Sequence, residues 1–240
     1  MSANAPSAKA RACYFYSMCF SATASFSSAV LLVAASGLAL HQKPTRRELP
    51  YALMPALFGI QQFLEGLLWL KLRDPTALAS CLTPGVLAQA FSLFSQVFWP
   101  IFVPLAVGLM ETVAWRRKAI AGCALAGLVT SMFLLSAMLQ IPITAQLQGQ
   151  HIAYAFSHTH VVVASSLYLI GACLSPLLSG HPSVRLFGVI AVATALLTSL
   201  IFSTWFISVW CFFAGLMSCV VLLHFFPKVQ QVFKSGWHAT

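Results

Sequence analysis

Glu65 lies inside the apolar run from Tyr51 to Leu70 and is the only acidic residue deep in any such run of this chain. A carboxyl at membrane depth is costly when charged and unpaired, so it normally faces a protein interior and finds a partner there. Gln61, Glu65 and Trp69 recur at i, i+4 and i+8 and share one helix face, flanked by Gln62. A second stripe, Gln89, Ser92, Gln96 and Trp99, follows at i, i+3, i+7 and i+10 in the next run. Pro100 then leaves the Gln96 carbonyl without its usual helical donor, which suits a kinked helix lining a cavity. This chemistry would hold a small polar ligand or a cation. Glu65 would be the charge or proton site, Gln61, Gln62 and Gln96 the hydrogen-bond partners, and Trp69, Trp99 and Trp210 the walls. Each element also has a plainer role. Gln and Ser bond neighbouring helices, tryptophans anchor at interfaces, and a buried carboxyl can simply clamp helices together.

Histidines widen the range of chemistry. His158 and His160, with Glu65, could supply three metal ligands and an open position. Residues two apart on a helix point about 200° from each other, so this needs a helix that starts after them. Either histidine would otherwise be the second titratable group of the ligand site. Nucleophilic catalysis needs Ser or Cys beside a base, and Cys19, next to an alternative start at Met18, is the candidate nucleophile. Glu65, His158 and Cys19 are therefore the candidate catalytic residues of a membrane-embedded enzyme acting on a lipid or other apolar substrate, a metal-dependent hydrolase if the histidines hold an ion. Cys19 could equally pair with Cys81. No Walker, GxGxxG or HExxH pattern occurs, and no lysine lies between Ser208 and Phe226 to carry a retinal. No cofactor follows from these patterns.

The elements that must position these residues are membrane helices. Sixty per cent of the 240 residues are hydrophobic and 7% are charged, where soluble domains carry about 25% charged residues. The apolar runs are continuous and do not alternate, which excludes a barrel. Runs of about 20 residues fall at 21–40, 51–70, 86–110, 119–140, 157–178, 186–204 and 207–226. The expected fold is an all-α, seven-helix bundle, with the break near Thr204 the least defined. If the first run is instead a cleaved leader, six spans remain. The formal charge of +9 is scattered over short loops, which argues for topology and against nucleic acid. Lys43, Arg46, Arg47, Arg116, Arg117, Lys118, Arg185, Lys228 and Lys234 fall on one side, and Lys9, Arg11, Lys71 and Arg73 on the other. The positive-inside rule then places the N-terminus outside and the C-terminus in the cytoplasm. In that frame the polar stripes, His158, His160, Ser208 and Trp210 converge on one outward-facing pocket. Residues 1–17 read as a flexible extension, 18–226 as a single transmembrane domain and 227–240 as a short basic cytoplasmic tail. Partners are membrane lipids and the pocket's ligand; a purely structural or partner-binding role is the third possibility.

The segments Met18-Cys-Phe-Ser-Ala-Thr-Ala-Ser-Phe26, Phe58-Gly-Ile-Gln-Gln-Phe-Leu-Glu-Gly-Leu-Leu-Trp69 and Ser208-Val-Trp-Cys-Phe-Phe-Ala214 resemble an uncharacterised family of bacterial multi-pass membrane proteins. Its members typically open at the Met-Cys-Phe-Ser segment. The resemblance spans roughly residues 18–226 and implies no activity. It does imply that Cys19 is near the N-terminus in relatives.

Overall fold

The computed structural model describes residues 21–149, 151–156, 160–201 and 205–226. Ser21 caps α1 (Ala22–His41), its hydroxyl accepting from the Ala24 N–H at 3.2 Å. Helix α2 (Leu49–Arg73) begins with Pro50 in its first turn, where a missing N–H costs nothing. Thr83 caps α3 (Pro84–Met110) in the same way as Ser21, with Pro84 at its first position. Helix α4 (Ala114–Gln140) leads into an antiparallel hairpin, β1 (Thr144–Gln148) and β2 (His151–Ala155), which pairs Ala145 with Tyr154 and Leu147 with Ile152. Helices α5 (Val161–Leu177) and α6 (Pro182–Ile201) follow, then two short helices, α7 (Phe206–Phe212) and α8 (Ala214–His224).

The protein is mostly helical, and α1, α2, α3, α4 and α6 are long and apolar enough to cross a membrane. Large apolar side chains cover its outside, with Leu200, Val162 and Leu139 at least three-quarters exposed. In water such a surface would aggregate; against lipid it is the natural outer face. Of the seven expected spans, five have the length and apolarity to cross a membrane among the described residues. Helix α5 has 17 residues, and the last run is broken at Phe213 into α7 and α8. The all-α expectation also misses the hairpin. Between α4 and α5 the chain forms an alternating strand, Thr144–Gln148, after which Gly149, with a φ of +63°, turns it. The extension 1–17, the tail 227–240 and the break near Thr204 lie outside the described residues.

Two π-helical turns shape the interior: Leu93–Phe98 within α3, just before Pro100, and Ile170–Leu174 within α5, just before Pro176. A proline cannot donate to the helical ladder, and a wider turn absorbs the defect. The carbonyls loosened in the first turn are taken up by neighbours. The Tyr168 hydroxyl donates to the Ser95 carbonyl at 2.8 Å, and the Ser131 hydroxyl to the Val97 carbonyl at 2.7 Å. At the same level the Pro100 backbone touches α4 and α5 through two glycines. A Cβ on Gly127 would stand 1.9 Å from the Pro100 oxygen, and one on Gly171 would stand 2.8 Å from it.

The helix ends gather at two poles. At one, the buried Glu111 carboxylate accepts the backbone N–H of Gly180 at 2.6 Å and those of Thr112 and Val113 at 3.0 Å. Burial pushes this carboxyl up, but the N–H groups of Val113, Gly180 and Thr112, aided by His181, outweigh it and hold the group below the usual carboxylate range. The loop carrying Lys43, Arg46 and Arg47 and the start of α4 carrying Arg116, Arg117 and Lys118 belong to this pole, as does Arg185. At the opposite pole lie the 74–83 loop and the hairpin. There the Lys71 ammonium donates to the Pro75 and Leu78 carbonyls at 2.6 and 3.1 Å.

Candidate functional site

Glu65 is buried, 3% exposed, and turned into the bundle. Its Oε1 accepts from the Ser208 hydroxyl of α7 at 2.5 Å. One turn earlier, Gln61 bridges two elements: its Nε2 donates to the Cys211 sulfur at 2.8 Å, and its Oε1 accepts from Trp99 Nε1 at 2.5 Å. Trp99 in turn stacks on Phe58, with centroids 3.8 Å apart. Two members of the α2 stripe, Gln61 and Glu65, thus meet α3 and α7. Gln62, buried beside Glu65, approaches the carboxyl without completing a hydrogen bond of good geometry from its own amide.

The second stripe is divided. Gln89 leaves the network and ties the chain into the hairpin, donating to the Met138 carbonyl at 3.0 Å and accepting from the Ile143 N–H at 3.1 Å. Ser92 is fully buried. Gln96, in the π turn, faces a cavity. Trp69 packs away from Glu65's partners, in a cluster with Leu87, Met138 and Ile152 beneath the hairpin, and the Arg73 guanidinium lies 5.2 Å from its ring. It is neither a pocket wall nor a free interfacial anchor. Trp210 does line the cavity, and its Nε1 donates to the Thr194 hydroxyl at 3.2 Å.

Of the histidines and the cysteine nucleophile, His158 and Cys19 lie outside the described residues. His160 is exposed and sits just before α5 with a left-handed φ of 61°. Among the described residues no group of three His, Cys, Asp or Glu stands together as metal ligands. Cys81 is an exposed, free thiol.

The cavity itself measures about 690 Å³ and runs along α5 between α6, α7 and the hairpin. Its α5 wall extends from Ala164 to Leu177, a rise of about 20 Å. That wall and the facing one, with Val192, Ala195 and Leu196, are almost wholly apolar. Polar groups gather at the hairpin end: Gln96, the Tyr154 hydroxyl and Trp205 Nε1. The last two are buried and lack a hydrogen-bond partner among the described residues. Stacking holds both rings in place, Tyr154 on Phe91 at 5.0 Å and Trp205 on His151 at 4.4 Å. Cys211 forms part of the wall and separates the space from Gln61. Glu65 is not among the lining residues; it stands behind the wall, bonded to Ser208.

Sequence reasoning missed Tyr154, Tyr168 and Cys211 at this site. Only Tyr154 had a usable signal, a short apolar run with an aromatic, Ile152 to Ala155, soon after Gly149.

Residues 18–234 match a family described as "Family of unknown function (DUF6629)". No curated protein and no solved structure matches the chain.

Proposed function

The chain belongs to this family of unknown function, and from that premise we propose that it is an integral membrane protein that binds a single-chain amphiphile in the cavity along α5. The observation that carries this reading is the shape and lining of the space: long, apolar on both sides, with unpaired hydrogen-bonding groups collected at one end. Binding sites of this size are usually apolar with a few placed polar groups. An alkyl chain would lie between Ala164 and Leu177, and its head would meet Tyr154, Trp205 and Gln96. This favours an amphiphile over a small polar ligand or cation, since the one deep carboxyl is sealed behind Cys211 and Ser208. Glu65 then sets the position of the α7 wall.

Trp205 and Trp210 both line the cavity, so a bromine-bearing single-chain fatty acid should quench their fluorescence in the detergent-purified protein. Quenching should saturate, and Ala195→Leu, which fills the space from a buried lining position, should weaken it about tenfold, equivalent to about 1.4 kcal/mol. Quenching that rises without saturation and is indifferent to Ala195→Leu would sink the proposal.

A further inference from the structure

The basic pole brings together three side chains from distant parts of the chain. Ser183 is the second residue of α6, His224 the last of α8, and Glu48 immediately precedes α2. The Ser183 hydroxyl lies 2.6 Å from His224 Nδ1, and His224 Nε2 lies 3.9 Å from Glu48 Oε1. The other Glu48 oxygen is held by Thr45, through its N–H at 2.9 Å and its hydroxyl at 2.7 Å, which turns Oε1 toward the imidazole. His224 is 4% exposed, wedged between the Tyr51 ring at 5.3 Å and the His181 ring at 5.6 Å. Ser183 and Glu48 are only half-buried, so the group is walled in behind and open at its edge.

A hydroxyl on an imidazole that is itself oriented by a carboxylate is the arrangement nucleophilic acyl transfer requires. If Ser183 donates to Nδ1, the ring proton sits on Nε2, facing Glu48. A place for a developing oxyanion is also at hand. The first helical bond of α6 runs from the Arg185 N–H to the His181 carbonyl, and the N–H groups of Ser183 and Val184, ahead of it, have no acceptor within the helix. Plain capping explains Thr45 with Glu48, but it does not explain a histidine between that carboxylate and a serine on a third element.

We propose that Ser183, His224 and Glu48 form an esterase site acting on carboxylic esters of amphiphiles at the basic face of the membrane. The Ser183 oxygen attacks the ester carbonyl while its proton passes to His224 Nδ1. The carbon–oxygen bond to the alcohol breaks, and the alcohol leaves with that proton. Water then attacks the acyl-serine through the same imidazole, releasing the carboxylic acid and returning the proton to Ser183. Ser183 and His224 are the catalytic residues, and Glu48 is a positioning residue. Lys43, Arg46, Arg47 and Arg116 at this pole favour anionic esters.

The test is a fluorophosphonate probe on the full-length protein in detergent, with the adduct mapped by mass spectrometry. We expect phosphonylation at Ser183, none in Ser183→Ala, and labelling slowed about a hundredfold in His224→Gln. Glu48→Gln should keep the adduct at Ser183 but shift the pH profile of its formation, which a purely capping carboxylate would not do. Should His224→Gln unfold, Ser183→Ala and Glu48→Gln decide the matter. A folded wild-type protein with no adduct at Ser183, or a Glu48→Gln profile identical to wild type, would overturn the proposal.

Discussion

Glu65 and Ser208 form a buried pair whose value depends on hydrogen bonding more than on charge. In Glu65→Gln the side-chain carbonyl still accepts the Ser208 hydroxyl, so the unfolding midpoint in detergent should stay close to wild type. Glu65→Leu removes the acceptor and strands the hydroxyl, at a cost of about 1–3 kcal/mol. Equal losses in the two variants would show that the carboxylate itself is needed. The Glu65 face was readable from spacing alone, because i, i+4 and i+8 fall on one side of any helix. Its partner was not. Periodicity orients a residue on its own helix and says nothing of which neighbour it meets, so glutamines were expected as hydrogen-bond partners where Ser208 stands. Ser183 and His224 were unreadable for the same reason, lying 41 positions apart.

The contact among α3, α4 and α5 is a backbone contact, and this makes Gly127 the most demanding position in the bundle. Gly127→Ala drives a methyl into the Pro100 carbonyl and should cost about 1–3 kcal/mol by overpacking, read as a lower unfolding midpoint. Gly122→Ala on the same helix meets nothing within 4 Å and should be neutral or stabilising, by up to about 1 kcal/mol from helix propensity. If both variants behaved alike, the close crossing would not exist. Pro100 pointed to an irregular α3, and the π turn is the form that irregularity takes. The corresponding turn in α5 and the hairpin escaped notice because apolar content was counted over windows of span length, which averages away a five-residue strand.

At the scale of the whole molecule, the first four runs and the sixth were legible within a few residues. Length and hydropathy decide them without help from tertiary contacts. The last run was not, since α7 and α8 are held by packing against α6, α2 and the hairpin and not by their own length. The positive-inside rule predicts a cytoplasmic location for the Glu111 pole, where most of the Lys and Arg side chains gather. With Cys81 as the only thiol retained, a membrane-impermeant maleimide should label intact cells from outside, because Cys81 is exposed in the loop of the other pole. Labelling only after lysis would reverse the orientation.

The two poles are fastened differently. Glu111 with Gly180, His181 with Met110 and Ser183 with His224 lace one end by polar bonds, whereas at the other stacked rings share the work with the Gln89 and Lys71 bonds. Around Tyr154 and Trp205 the joints are ring faces, which slide where a hydrogen bond must break, so that corner of the hairpin pole is expected to yield first when the bundle is strained.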